Sequence, residues 1–315
     1  MTAYIVFDEI AKNNLSPEEM VTVSEKAWEM KGSQMFLKVG DKVSVDKLIH
    51  GLITASGNDA AVALAEYIAG TTSTFVDYMN QYAKQLGMDN SHFQDVNGLP
   101  QDGHYMSARD IATLYAAIVR EFPKLYDTYF HNKKFAYNGI QQYNRNSLLW
   151  SDDRVDGGKT GHTASAGYNL VASAKAEGMR VISVVTGTNS ENARKNQAEA
   201  LISYAFRFYQ EAELFGADKQ IAQIRVWKGE ETEVPVVAQG AVNVAYPRGK
   251  RDELTTSAEL PATLSAPVKK GERLGTLAIK YNDRVLKEEP LYAGKTIAEG
   301  GYIRQAMDEI LMMFQ

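Results

Sequence analysis

The sequence predicts a mixed α/β fold: an antiparallel sheet with covering helices, then an all-β C-terminal domain and a terminal amphipathic helix. Three observations carry this. Apolar residues recur at helical spacing from Met1 to about Pro123. Two short β-rich runs, Tyr168 to Ala174 and Met179 to Gly187, flank a Glu177-Gly178 turn. From about Ile221 to Ala293 the pattern is strand-like and punctuated by Pro235, Pro247, Pro261, Pro267 and Pro290. At 315 residues the chain has room for one large domain and a smaller one, and the composition shifts place the divisions at 1–214, 215–295 and 296–315.

The first helix carries Ala3, Tyr4, Ile5, Phe7 and Ile10 and opens with no capping residue ahead of it, so it reads as cut from a longer precursor. Ser16-Pro17-Glu18-Glu19 joins a cap, a first-turn proline and first-turn acids, which predicts a helix start. Leu48, Ile49, Leu52 and Ile53 make a short amphipathic helix that stops at Ser56-Gly57. Asn58 to Ala69 forms a second, small and apolar, ended by Gly70; Phe75, Met79, Tyr82 and Leu86 mark a third, ended by Gly87. Ser107 caps a helix with Ile111, Leu114, Tyr115 and Ile118 on one face.

Lys159 falls on a strand just before the β-rich pair. A helix from about Ser190 to Glu213 is expected to bury Ala198, Leu201, Ile202, Ala205, Phe208 and Tyr209. Strands follow at Ile224–Trp227, Val234–Val237, Val242–Tyr246 and Leu274–Tyr281, with turns at Lys228-Gly229 and Asn282-Asp283. Last, Tyr302, Ile303, Ala306, Met307, Ile310, Leu311 and Phe314 recur at three- and four-residue steps. Periodicity alone favours a helix docked over the core; the rival is an interfacial helix on a membrane, held mainly by apolar contact because Arg304 is its one basic residue.

A net charge of −5 argues against nucleic acid as a partner. The absence of cysteine excludes disulfides and thiolate metal sites. His50, His92, His104, His131 and His162 show no metal-ligand spacing, so neither metal nor cofactor is expected. No apolar run reaches the length of a membrane span, and Met1-Thr2-Ala3-Tyr4 is not a signal peptide.

Two tripeptides carry the chemistry. Ser56-Gly57-Asn58 joins two helices and can point two polar side chains into one cleft; alone, it reads equally as a helix cap. Lys159-Thr160-Gly161 puts a lysine on a strand, where it can hold a carboxylate or set the field at a serine; alone, it is a surface lysine before a turn glycine. Together, a Ser-x-Asn followed about a hundred residues later by Lys-Thr-Gly is the pattern of penicillin-interacting serine acyl-transferases.

Met35-Phe36-Leu37-Lys38, Ser56-Gly57-Asn58-Asp59-Ala60, His92-Phe93, Gly98-Leu99, Ala108-Arg109-Asp110, Asn144-Arg145-Asn146, Val155 to Thr163 and Gly167 to Ala172 extend the match along the chain. In this set the sequence resembles the low-molecular-mass D-alanyl-D-alanine carboxypeptidases. The resemblance implies a serine peptidase with a penicillin-binding, β-lactamase-like fold that removes terminal D-alanine from peptidoglycan stem peptides through an acyl-enzyme. It implies Ser56 as proton relay to the leaving amine, Asn58 as partner of the substrate amide, and Lys159 as electrostatic support for Ser56. It further implies Gly161 and the backbone N–H of His162 as substrate and oxyanion contacts. Thr160, Thr163 and Arg194 match positions that grip the terminal carboxylate.

Implied partners are stem peptide, acylating β-lactams and, through residues 302–314, a membrane surface on the periplasmic side, given a signal peptide upstream of Met1. The family's Ser-x-x-Lys tetrad is expected just ahead of Met1. Ser44-Val45-Asp46-Lys47 has its form but reads as an N-cap with a solvated lysine. The alternatives are a catalytically silent relative that binds stem peptides and, less favoured, a β-lactamase.

Overall fold

The computed structural model describes residues 1–313. By compactness the chain forms two units, Met1–Ala176 with Arg180–Ala205, and Glu177–Met179 with Phe206 onward. The mixed α/β class, with antiparallel sheets and a C-terminal β domain, is as the sequence predicts.

In the first unit, helix α1 (Thr2–Ala11) is the apolar hub, with Tyr4, Ile5, Val6 and Phe7 all buried. Strand β1 (Met20–Thr22) pairs antiparallel with β2 (Lys42–Ser44), and the short α2 (Glu25–Glu29) lies between them in sequence. The helix expected to start at Ser16 is a single turn. Ser16 and Glu19 do bond each other, but the carbonyls of Pro17 and Glu19 accept from Asp46 and Val45 instead of from a following helical turn. Ser44 caps α3 (Val45–Thr54) by accepting the Lys47 N–H at 3.4 Å. The Ser44-x-x-Lys47 stretch is thus a cap, with Lys47 exposed.

Helices α4 (Asn58–Ala69) and α5 (Thr72–Gln85) follow, each closed by a glycine at positive φ, Gly70 and Gly87. Strands β3 (Ser91–His92) and β4 (Tyr105–Met106) form a two-residue ladder before α6 (Ala108–Glu121), whose Ser107 cap accepts from Asp110 N–H. Next come α7 (Pro123–Phe130), the hairpin β5 (Lys134–Tyr137) and β6 (Ile140–Tyr143), and α8 (Leu148–Ser151). The sheet is β7 (Val155–Thr163), β8 (Gly167–Ala176) and β9 (Met179–Thr188), in that order. Glu177 and Gly178, both at positive φ, make the expected turn.

Helix α9 (Glu191–Phe208) ends five residues earlier than the periodicity predicts, because β10 (Tyr209–Phe215) pairs with a strand of the second unit. Its buried positions are Arg194, Ala198, Ile202 and Phe206, one i,i+4 row; Leu201, Phe208 and Tyr209, expected inside, are exposed.

The second unit is built on β11 (Gln220–Trp227), β12 (Glu233–Val237), β13 (Val242–Pro247), β14 (Leu254–Glu259), β15 (Thr263–Ser265), β16 (Arg273–Tyr281) and β17 (Arg284–Ala293). Six strands form one sheet in the order β14-β16-β17-β12-β11-β15, while β10 and β13 form a ribbon. The ribbon's Val242, Val244 and Tyr246 share a core with Val234, Val236, Ile279 and Leu291 of the sheet. Asn282 and Asp283, both at positive φ, turn β16 into β17.

The terminal helix α10 (Tyr302–Met312) is present, but the expectation that its apolar side covers a core is overturned. Tyr302 is 93% exposed and Ile303 81%, while its one buried residue among those described is Asp308. Phe314, assigned to the same stripe, lies outside the described residues.

Asp59, 1% exposed at the head of α4, accepts the backbone N–H groups of Met35, Leu37 and Ala60 at 2.9–3.1 Å. Truncation leaves the first two donors buried and unpaired, at about 1–3 kcal/mol each. Asp59→Ala is therefore expected to lower unfolding free energy by about 3 kcal/mol in urea titration, and Asp59→Asn by less, since its remaining oxygen still accepts.

Candidate active site

Ser56 lies between α3 and α4 at φ +55°, a conformation that costs a non-glycine residue about 1–2 kcal/mol. The surroundings fix it. Gly57 N–H donates to the Gly51 carbonyl at 3.0 Å, and Asn58 N–H donates to the Ser33 carbonyl at 2.8 Å. Gly57 admits no side chain: a Cβ there meets Asp59 Oδ1 at 2.8 Å and Met35 N at 3.2 Å. Asn58 is buried, and its Nδ2 donates to the Lys31 carbonyl at 2.7 Å.

The two tripeptides meet. Lys159 Nζ donates to Ser56 Oγ at 2.5 Å and to the Thr160 carbonyl at 2.8 Å. The strand that brings the lysine there is held by close approach from two sides. A Cβ on Gly157 collides with the Tyr126 hydroxyl of α7. One on Gly158 meets Asn146 Nδ2 at 2.5 Å and the Val171 carbonyl at 2.6 Å. Asp156 fixes the same segment by accepting from the Tyr126 hydroxyl at 3.0 Å and pairing with Arg180 at 2.7 Å.

Lys159, Thr160 and Gly161 form one wall of a cavity of about 340 Å³, with Thr2, Asn97 and Gly98 among its other walls. Ser56 does not line it but is bonded to Lys159, which does. Asn58, His162, Thr163 and Arg194 lie outside it. The His162 ring stacks on Tyr168 with centroids 4.0 Å apart, and the Arg194 guanidinium lies over the same Tyr168 at 5.6 Å. The Thr163 hydroxyl accepts Ala166 N–H at 3.0 Å and caps the β7–β8 turn. Arg194 is 4% exposed, with Glu191 at 3.5 Å as its counter-ion.

Two residues given no role by the sequence reading bear on the site. Arg145 stands between buried Asn144 and Asn146, whose side chains tie its loop to the Asn132 carbonyl and the Leu148 N–H. Asn97 Nδ2 donates to the Asn58 carbonyl at 3.0 Å, and Asp95 shapes its loop by accepting from Asn97, Gly98 and Leu99. Arg145 belongs to the Asn144-Arg145-Asn146 motif, but nothing in its local pattern marks it as electrostatic. Asn97 has no spacing signal.

Desolvation of the ammonium, then the fields of Arg145 and Arg194, lower the Lys159 pKa to about 8. Burial likewise lowers that of Arg194, against the pull of Glu191. Three cations against one carboxylate make a site suited to an anionic group. A lysine whose folded pKa is below its unfolded value of 10.5 destabilises the fold fully below about pH 8, and the penalty is relieved as pH rises toward 10.5. Urea midpoints of the wild type are therefore expected to gain on those of Lys159→Met between pH 7.5 and about 10; a constant difference between them contradicts the shift.

The chain as a whole is similar to known proteins. The D-alanyl-D-alanine carboxypeptidase family model matches residues 1–190, and that of the penicillin-binding protein 5 C-terminal domain matches residues 209–299. The D-alanyl-D-alanine carboxypeptidase DacC of Escherichia coli strain K12 is 42% identical over 322 aligned residues, covering 100% of this chain and 80% of the relative. DacF of Bacillus subtilis strain 168 is 33% identical, covering 96% of this chain and 79% of its own. Penicillin-binding protein 5 of Haemophilus influenzae superposes with a TM-score of 0.85 at 37% identity, covering 95% of this chain and 88% of that structure. With the family model matching residues 1–190 and a relative 42% identical along the whole of this chain, the chain belongs to the serine-type D-alanyl-D-alanine carboxypeptidase family.

Proposed function

We propose that these residues form the proton-relay and carboxylate-binding part of a serine D-alanyl-D-alanine carboxypeptidase that acts on peptidoglycan stem peptides and is acylated by β-lactams. The observation that carries this is the direct bond between Lys159 Nζ and Ser56 Oγ at the cavity wall. In this reading the acylated serine is that of the family's Ser-x-x-Lys tetrad, expected upstream of Met1. Its Oγ attacks the carbonyl between the two D-alanines, and its proton passes to the tetrad lysine. The C–N bond breaks, and the departing amine of D-alanine takes a proton through Ser56, whose hydroxyl Lys159 polarises. Water then cleaves the acyl ester and frees the shortened peptide.

Other residues orient the substrate. Asn58, its Nδ2 engaged with Lys31, keeps Oδ1 for a substrate N–H. β7 is an edge strand, so the backbone around Gly161 and His162 offers hydrogen bonds to an extended peptide and to the developing oxyanion. Arg194, Arg145, Thr160 and Thr163 supply the field and donors for the terminal carboxylate. The enzyme works at the periplasmic face of the membrane. No helix among the described residues is long and apolar enough to cross a membrane, and the exposed apolar side of α10 supports a peripheral attachment through residues 302–314.

Fluorescent penicillin tests the reading. A chain extended upstream to include the tetrad is expected to label covalently, while residues 1–315 alone do not. In the extended chain, Ser56→Ala and Lys159→Ala slow labelling by about 100-fold, the scale of a lost proton-transfer group. Wild-type labelling rates in both variants remove the relay role. An extended chain that never labels is instead a silent stem-peptide binder, and one that turns the drug over rapidly is a β-lactamase.

A further inference from the structure

Helix α10 inverts the usual arrangement of a surface helix. Tyr302, Ile303, Met307, Ile310 and Met313 are exposed, whereas Asp308 is 2% exposed. A buried carboxylate requires partners, and Asp308 has them. Its Oδ2 accepts the backbone N–H of Lys228 at 2.6 Å, and Arg304 Nε lies 3.5 Å from the same oxygen. Lys228, at φ +59°, is the first residue of the turn that leaves β11. Its carbonyl accepts Gly300 N–H at 2.8 Å, so the turn is gripped at both backbone groups by the segment carrying the helix. Gly300 fits only without a side chain, since a Cβ there meets the Gly229 carbonyl oxygen at 2.9 Å. Lys228 Nζ pairs with Glu309 at 2.7 Å, and Gln305 Nε2 donates to the Gly300 carbonyl at 2.8 Å.

We infer that Asp308 is a clamp that keeps the terminal helix folded and fastened by its polar side, presenting its apolar side to a lipid surface before contact is made. This rests on the peripheral attachment proposed above and adds the device that prepares it. An isolated helix of this length is marginal in water, so its order comes from the tie to the Lys228 turn. A helix held in its bound form avoids the ordering cost at the moment of binding. Lipid is the occupant that the composition favours. The exposed stripe is apolar, Tyr302 suits a headgroup boundary, and the neighbouring Glu309 is neutralised by Lys228. With Arg304 the lone basic residue on α10, the attraction is apolar, and anionic lipid adds little.

The test uses the whole 315-residue chain, with amide exchange read by mass spectrometry and partition onto phosphatidylcholine vesicles read by sedimentation. Asp308→Ala is expected to speed exchange in the peptides covering 226–230 and 302–312 by at least tenfold and to weaken partition about tenfold. Asp308→Asn, which keeps an acceptor oxygen, restores most of both. Ile303→Asp weakens partition to a similar degree with no change in exchange at 226–230. Adding phosphatidylglycerol changes wild-type partition less than threefold. If Asp308→Ala exchanges like the wild type, the clamp is refuted while the attachment stands. If the wild type ignores vesicles, or buries α10 in a concentration-dependent dimer, the lipid reading falls even where the exchange result holds.

Discussion

One buried carboxylate sets the geometry on which the site depends. Asp59 gathers N–H groups from Met35 and Leu37, on a loop more than twenty residues earlier, and from its own helix at Ala60. That cluster presses the loop against the start of α4, where Gly57 has space for no more than a hydrogen. The chain between α3 and α4 is then too constrained to relax, and Ser56 stays in a left-handed conformation that a serine in an open loop abandons. The hydroxyl therefore meets Lys159 because the backbone beneath it is over-determined.

The opposite wall follows the same logic with different means. Gly157 and Gly158 let α7 and the Asn144–Asn146 loop approach β7 to distances a methyl group forbids. Two effects result from this close packing. Lys159 is projected into a desolvated position, and Arg145 is brought within electrostatic reach of it. The same packing thus shapes the strand and tunes its lysine. A looser strand would carry an ordinary, fully solvated ammonium with less influence over a neighbouring hydroxyl.

Much of this was legible in the sequence, for identifiable reasons. The α4 and α5 boundaries were readable because glycines at positive φ end both helices, and the β8–β9 and β16–β17 turns because Glu177-Gly178 and Asn282-Asp283 suit left-handed backbone. The false start at Ser16 shows the limit of local signals: the cap is real, but β-pairing of Met20–Thr22 and donors from the head of α3 claim the backbone groups that a helix needs. The same competition shortens α9, where Tyr209 onward has a strand partner far along the chain. Arg145 and Asn97 went unassigned because their importance comes from what tertiary folding places beside them. Periodicity alone favoured docking α10 over a core, but a periodic stripe does not say which side faces inward, and a single buried aspartate leaves the apolar side outward.

The two glycines of the Asp156-Gly157-Gly158-Lys159 stretch are held by collision alone: a methyl at either strikes a neighbouring side chain, and at Gly158 a carbonyl too. That requirement is indifferent to chemistry. A descendant that had lost every catalytic group would still keep both, since replacing them distorts the strand and the helix beside it. Inheritance of this signature therefore certifies architecture, and a census of cell-wall peptidases drawn from it will count retired members among the working ones.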